Sequence, residues 1–163
     1  MQLLRARDAV MQRFRPHLRR QGLTDQQGRV LRTLAEVTVL EMGALAAYTC
    51  VHPASLSRII PGLARKALVR RTKAARDGRR VLVSITPRGR TAIAPIIRES
   101  TRIYADLAAE MGPAPWRELH RSLEVLIRAY APEGGAANGS SRKSATRMNS
   151  SILGHAASAA ASR

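Results

Sequence analysis

Acidic residues are scarce in this chain of 163 residues: 11 Asp and Glu stand against 28 Lys and Arg, a formal net charge of +17. That imbalance says nothing about fold. It selects a polyanionic partner, with nucleic acid ahead of an anionic membrane surface. Aromatic residues are scarcer still, at one Phe, one Trp and three Tyr. Reading single strands by base stacking needs aromatic platforms, so that mode is disfavoured. The single cysteine, Cys50, excludes an intramolecular disulfide framework and fits a reducing cytoplasm. It lies between two apolar elements with no second thiol to resolve it. A buried structural thiol is therefore expected rather than a redox sensor.

Other absences narrow the function. His17, His52, His120 and His155 are scattered, with no Cys or acidic partner at ligand spacing, so neither a metal nor a cofactor is expected. There is no glycine-rich phosphate loop and no nucleophile–base arrangement, which argues against an enzyme. No apolar run approaches the ~20 residues of a membrane span. Arg5, Arg7 and Asp8 interrupt the N-terminal stretch before a secretory apolar region can form. A cytoplasmic protein that does not enter membranes is the expectation.

What is present is concentrated. From Arg58 to Arg90 there are eleven Lys and Arg and one acid, Asp77, so this segment holds +10 of the +17. Local concentration of this kind makes a binding footprint. Around it the hydrophobic periodicity predicts helices over 3–20, 25–37 and 41–49. Pro16 is expected to bend the first helix or mark its last turn. Thr24 with Gln27 predicts a capping box on the second. "HPASLSRIIPGLARKAL" then starts a fourth helix with Pro53 in its first turn. Leu56, Ile59, Ile60 and Leu63 form its apolar stripe; Ser55, Arg58, Gly62 and Arg65 form a polar, basic one. Two helices joined by a tight turn, the second with a basic face, make a helix-turn-helix. Pro61 is expected to kink the second of them.

"LVRRTKAARDGRRVLVSIT" follows. Val69, Arg71 and Lys73 alternate in phase, as do Val81, Val83 and Ile85, and the two arms flank the turn-prone Asp77-Gly78: a β-hairpin with a basic tip. Thr86-Pro87 predicts the N-cap and first residue of a long helix running to about Glu110. "GPAPW" breaks it, and a last amphipathic helix is expected over 116–130. Residues 132–163 are rich in Gly, Ala and Ser and have too few apolar groups to offset ordering entropy, so a disordered basic tail is expected. The fold class is thus mainly α with a small β-hairpin wing, a winged helix-turn-helix.

Chemistry assigns roles within this frame. Arg58, Ser55 and Ser57 are the base-reading candidates, with His52 and Ala54 at the helix start and Arg65 further along; Arg58 suits a guanine edge. Arg70, Arg71, Lys73, Arg76 and Arg80 suit phosphates, which supply affinity and salt dependence rather than sequence choice. Asp77 repels phosphate. Either it orients Arg79 for entry into a minor groove, or it is only a turn former.

The sequence resembles the MarR family of winged-helix repressors over residues 1–131. "RDGRRVLVSITPRG" is similar to the family's wing signature, and "LTDQQGRVLRTLAE" is a second match. "RDAVMQRFRPHLRRQGLT" with "CVHPASLSRI" resembles the subgroup regulating homoprotocatechuate degradation, related to regulators of nicotinate degradation. The resemblance implies a homodimer joined by helices within 1–22 and 90–131, and a DNA-binding lobe at 24–88 with its wing at 69–86. It also implies a pseudo-palindromic double-stranded operator of an aromatic-acid catabolic operon, and release by a small aromatic carboxylate. Arg7, Phe14, Arg15 and His17 supply the apolar and cationic groups such an effector needs, although Arg7 and Arg15 serve equally as interface ion pairs. The rival reading is a non-specific basic architectural protein without a ligand. Three departures from the family pattern stand out. Gly28 replaces a large aromatic, which would open a pocket or loosen the core. Pro61 interrupts the recognition helix. Ala67 replaces a helix-ending Gly, leaving the left-handed cap strained or absent.

Overall fold

The computed structural model describes residues 1–73 and 80–130. In chain order these form α1 (Gln2–Arg20), α2 (Asp25–Val37), β1 (Val39–Glu41), α3 (Met42–Thr49), α4 (Pro53–Arg65), β2 (Val69–Lys73), β3 (Val81–Ile85), α5 (Pro87–Met111) and α6 (Pro113–Tyr130). The chain divides into two compact units within α5, Met1–Glu99 and Ser100–Arg163. The Asp77-Gly78 turn and the tail at 132–163 lie outside the described residues.

Apolar periodicity builds the core of the first unit. Val30, Leu31 and Leu34 of α2, Leu45 of α3, and Leu56, Ile60 and Leu63 of α4 are buried together with Val83 of β3 and Ile93 of α5. The sheet is antiparallel with order β1-β3-β2. Val69 pairs with Ile85 and Lys73 with Val81; Leu40 pairs with Val83 on the other side. β1 was not expected, because three residues are too few to show an alternation. It makes β3 the central strand, which explains why Val83 is fully buried while residues 70–73 of β2 stay exposed.

Caps set the helix boundaries. Thr24 Oγ1 accepts the Gln27 N–H at 3.3 Å and Gln27 Oε1 accepts the Thr24 N–H at 3.1 Å, the expected capping box. Thr86 Oγ1 likewise accepts the Gly89 N–H at 3.0 Å while donating to the Ala67 carbonyl at 2.7 Å. One hydroxyl therefore starts α5 and fastens it to the end of α4. Gly89 has a separate reason: a Cβ there would collide with the Leu68 carbonyl oxygen.

Three helices end in the same way. After α1, Gly22 (φ 62°) donates to Arg19 O and Leu23 to Leu18 O. After α3, Cys50 (φ 48°) donates to Ala47 O and Val51 to Ala46 O; after α4, Ala67 (φ 56°) donates to Ala64 O and Leu68 to Leu63 O. Each is a Schellman motif, and only the first has glycine at the left-handed position. The cap at Ala67 is present, at the cost of a left-handed L-residue. Buried Leu63 and Leu68, the residues whose contact usually accompanies this motif, flank it.

Several expectations are corrected. Cys50 is exposed, not buried, because it is the left-handed terminal residue of α3 and not part of an apolar face. Gly28 neither opens a pocket nor loosens the core: Leu18 Cδ2 occupies the place its Cβ would take, so α1 and α2 approach closely. α4 runs through Pro61 to Arg65, so Pro61 does not interrupt it, and α1 contains Pro16 within the span read from the sequence. α6 starts at Pro113, not Trp116, after a break of one residue at Gly112 (φ 81°).

In the second unit, Ile103 and Ala108 of α5 are buried, whereas α6 has no buried residue. The Trp116 and His120 rings meet edge to face at 4.6 Å. His120 Nε2 is buried with no hydrogen-bond partner among the described residues, and burial lowers the pKa of this ring.

Candidate nucleic-acid interface

The α3–α4 turn is held from behind. Arg29 of α2 donates to the Thr49 carbonyl at 2.9 Å, and Thr49 Oγ1 donates to Leu45 O at 2.6 Å. Burial depresses the Arg29 pKa, helped by the nearby Arg7 charge. The turn then delivers His52 as the N-cap of α4, its Nδ1 accepting the Ala54 N–H at 3.3 Å, with Pro53 as the first helical residue.

Burial of Leu56, Ile60 and Leu63 turns the opposite side of α4 outward. With 3.6 residues per turn, Ala54, Ser57, Arg58, Pro61 and Arg65 share that side. Of the residues considered for base reading, His52, Ala54, Ser57, Arg58 and Arg65 are exposed, and Ser55 lies half-buried at the flank. Ser57 Oγ donates to the Pro53 carbonyl at 3.1 Å.

The basic segment separates into two groups of cations. Lys66 Nζ donates to the Gly22 carbonyl at 2.9 Å, just beyond α1. Arg90 donates to Ala35 O at 2.9 Å and Thr38 Oγ1 at 3.1 Å, closing the C-terminus of α2, where a cation also meets the negative end of the helix dipole. Arg80 pairs with Glu41, and the hydrogen bond from Arg80 holds the Glu41 carboxyl below its usual range. These partners were not legible, because the residues concerned are 39 to 55 positions apart. Arg58, Arg65, Arg70, Arg71, Lys73 and Arg88 are exposed and make no ion pair among the described residues. Arg76, Asp77 and Arg79 lie outside the described residues.

The residues considered for an effector all lie along α1. Phe14 is buried, and Arg7 is exposed. Arg15 is bonded to Asp8 at 2.5 Å and lies 3.6 Å from Asp25. Its hydrogen bond lowers the Asp8 pKa, and Asp8 in turn raises that of Arg15. His17 Nε2 is 3.8 Å from Glu99. Beside Arg15 a surface cleft of about 410 Å³ is lined by Leu18, Arg19, Leu23, Thr24, Asp25 and Gln26. No group of three or more His, Cys, Asp or Glu able to hold a metal occurs among the described residues. No described helix is long and apolar enough to cross a membrane.

The MarR family model matches residues 23–81, which span the helix-turn-helix and most of the hairpin. The homoprotocatechuate degradative operon repressor of Escherichia coli is 33% identical over 125 residues, 77% of this chain and 84% of that protein. This chain belongs to the MarR family. As a MarR-family winged helix-turn-helix protein it is a transcriptional regulator and not an enzyme. Among solved structures, NadR in complex with 4-hydroxyphenylacetate is 33% identical with a TM-score of 0.66, covering 83% of this chain and 91% of that one. The Mycobacterium tuberculosis regulator MosR in complex with DNA is 27% identical with a TM-score of 0.66, covering 78% and 92%.

Proposed function

We propose that this MarR-family regulator is a homodimeric repressor of an aromatic-acid catabolic operon, of homoprotocatechuate or nicotinate type. It binds a pseudo-palindromic operator and leaves it when a small aromatic carboxylate binds. The observation behind this reading is the face of α4: Ser57, Arg58 and Arg65 stand exposed beside a hairpin whose Arg70, Arg71 and Lys73 are also exposed. A recognition helix of this kind enters a major groove, and the wing cations lie along the backbone. Arg76 and Arg79, with Asp77 orienting the latter, are assigned to the wing tip.

Dimerisation is supported by apolar residues left uncovered in one protomer. Leu3 and Leu4 of α1 are 60% and 65% exposed, and Val125 and Ile127 of α6 are 61% and 59% exposed. A second copy covers such faces and sets two recognition helices about one DNA turn, ~34 Å, apart. The effector reading is supported by the 4-hydroxyphenylacetate held by NadR and by the name of the E. coli repressor. On α1 it assigns the carboxylate to Arg7, Arg15 and His17 beside Phe14. Arg15 then exchanges Asp8 and Asp25 for the ligand.

The test is binding to the DNA adjoining this protein's own gene, followed by titration with a panel of aromatic acids. Release by one acid, at a higher acid concentration for Arg15→Ala, is the expected result. Binding indifferent to every acid overturns the effector assignment.

A further inference from the structure

The outward side of α4 sets its own hydrogen-bond polarity. A serine hydroxyl has one proton and two lone pairs. Ser57 commits its proton to the Pro53 carbonyl at 3.1 Å, so the exposed Oγ is left as an acceptor. His52 is the opposite case. Its Nδ1 accepts the Ala54 N–H, which places the proton of the neutral ring on Nε2 and leaves that atom a donor. Arg58 has donors only. The face therefore offers one side-chain acceptor, Ser57, between donors on either side of it in sequence.

Bases differ in what they show to the major groove. Adenine N6 and cytosine N4 are donors, whereas guanine shows N7 and O6 and thymine shows O4, all acceptors. The geometry points to Ser57 as a specificity-determining acceptor that selects adenine or cytosine on the strand it faces and rejects guanine and thymine there. Two acceptors set against each other leave both unpaired, the costly arrangement in a desolvated groove. This inference rests on the proposed entry of α4 into a major groove. It goes further by assigning a class of base to one residue.

The full chain is used to select duplexes from a randomised pool, in parallel with Ser57→Ala and Arg58→Ala. Both side chains are exposed, so both variants are expected to fold. The wild type should enrich adenine or cytosine at one position per half-site. Ser57→Ala should lose roughly two- to tenfold of that preference and keep the others, while Arg58→Ala relaxes a different position. Replacing the selected adenine by purine, or the selected cytosine by 2-pyrimidinone, removes only the amine. It should weaken the wild type by the same factor and leave Ser57→Ala unaffected. A Ser57-dependent preference for guanine or thymine overturns the inference. So does a Ser57→Ala profile identical to wild type while Arg58→Ala relaxes one position; in that case the recognition-helix reading stands. If neither variant changes any position although DNA is still bound, the recognition-helix reading fails and this inference fails with it.

Discussion

Ala67 and Gly89 show how much a single Cβ decides at the α4–wing junction. Ala67 is held at φ 56°, where an L-residue is strained, yet it completes the Schellman bonds that end α4. Ala67→Gly relieves the strain but widens the unfolded ensemble. The net expectation is a stabilisation of about 1 kcal/mol, read as a rise of about 2–4 °C in Tm. A fall in Tm would contradict the strain. Gly89→Ala is the converse. Its Cβ meets backbone, the Leu68 carbonyl, which cannot swing away as a side chain would. A loss of about 2 kcal/mol or more is expected in a denaturant melt. A variant as stable as wild type would show that the junction is looser than described.

At the scale of elements, the cations sort by what they fasten. Arg90 closes α2, so Arg90→Ala should cost about 1–2 kcal/mol of stability and leave the salt dependence of DNA binding unchanged. Arg71 fastens nothing among the described residues. Arg71→Ala should leave stability within about 0.5 kcal/mol and reduce the slope of log affinity against log salt by about 0.9. Melting curves and binding isotherms at several salt concentrations separate the two. Equal effects of both substitutions on both readouts would contradict the sorting.

The Arg80–Glu41 pair ties the turn end of β3 to β1 and has a pH signature. The folded-state pKa of Glu41 is depressed, so its contribution is present above the unfolded pKa and is lost as pH falls through the folded one. The Tm difference between wild type and Glu41→Gln should therefore exist at neutral pH and shrink to nothing below the carboxylate range. A gap that stays constant to low pH would assign the effect to something other than this charge.

Legibility followed physical range. The capping box at Thr24, the N-cap at Thr86 and the two hairpin arms use partners within a few residues or a strict alternation, and all were readable. β1 was not, since Val39–Glu41 is strand only because β3 lies beside it. Nor was the exposure of Cys50, which depends on a left-handed φ that composition does not reveal. In the candidate interface the apolar stripe of α4 was legible. Its solvent face was displaced from the polar stripe read in sequence, leaving Ser55 half-buried and placing Pro61 between Ser57 and Arg65.

For the whole molecule, a charge of +17 favours binding to any duplex, so affinity alone proves little. The distinguishing quantity is the ratio between specific and non-specific binding. A regulator that reads bases through α4 prefers its site by roughly a thousandfold or more. A basic architectural protein shows no such preference, and its binding simply fades with salt.

The most direct measurement is therefore a competition at near-physiological salt between the DNA adjoining the gene and a scrambled duplex of equal length and composition. A preference of at least about a thousandfold is expected, with two symmetric protected half-sites one helical turn apart. Equal affinity for the two duplexes, falling in parallel as salt rises, would contradict sequence-specific regulation by this protein.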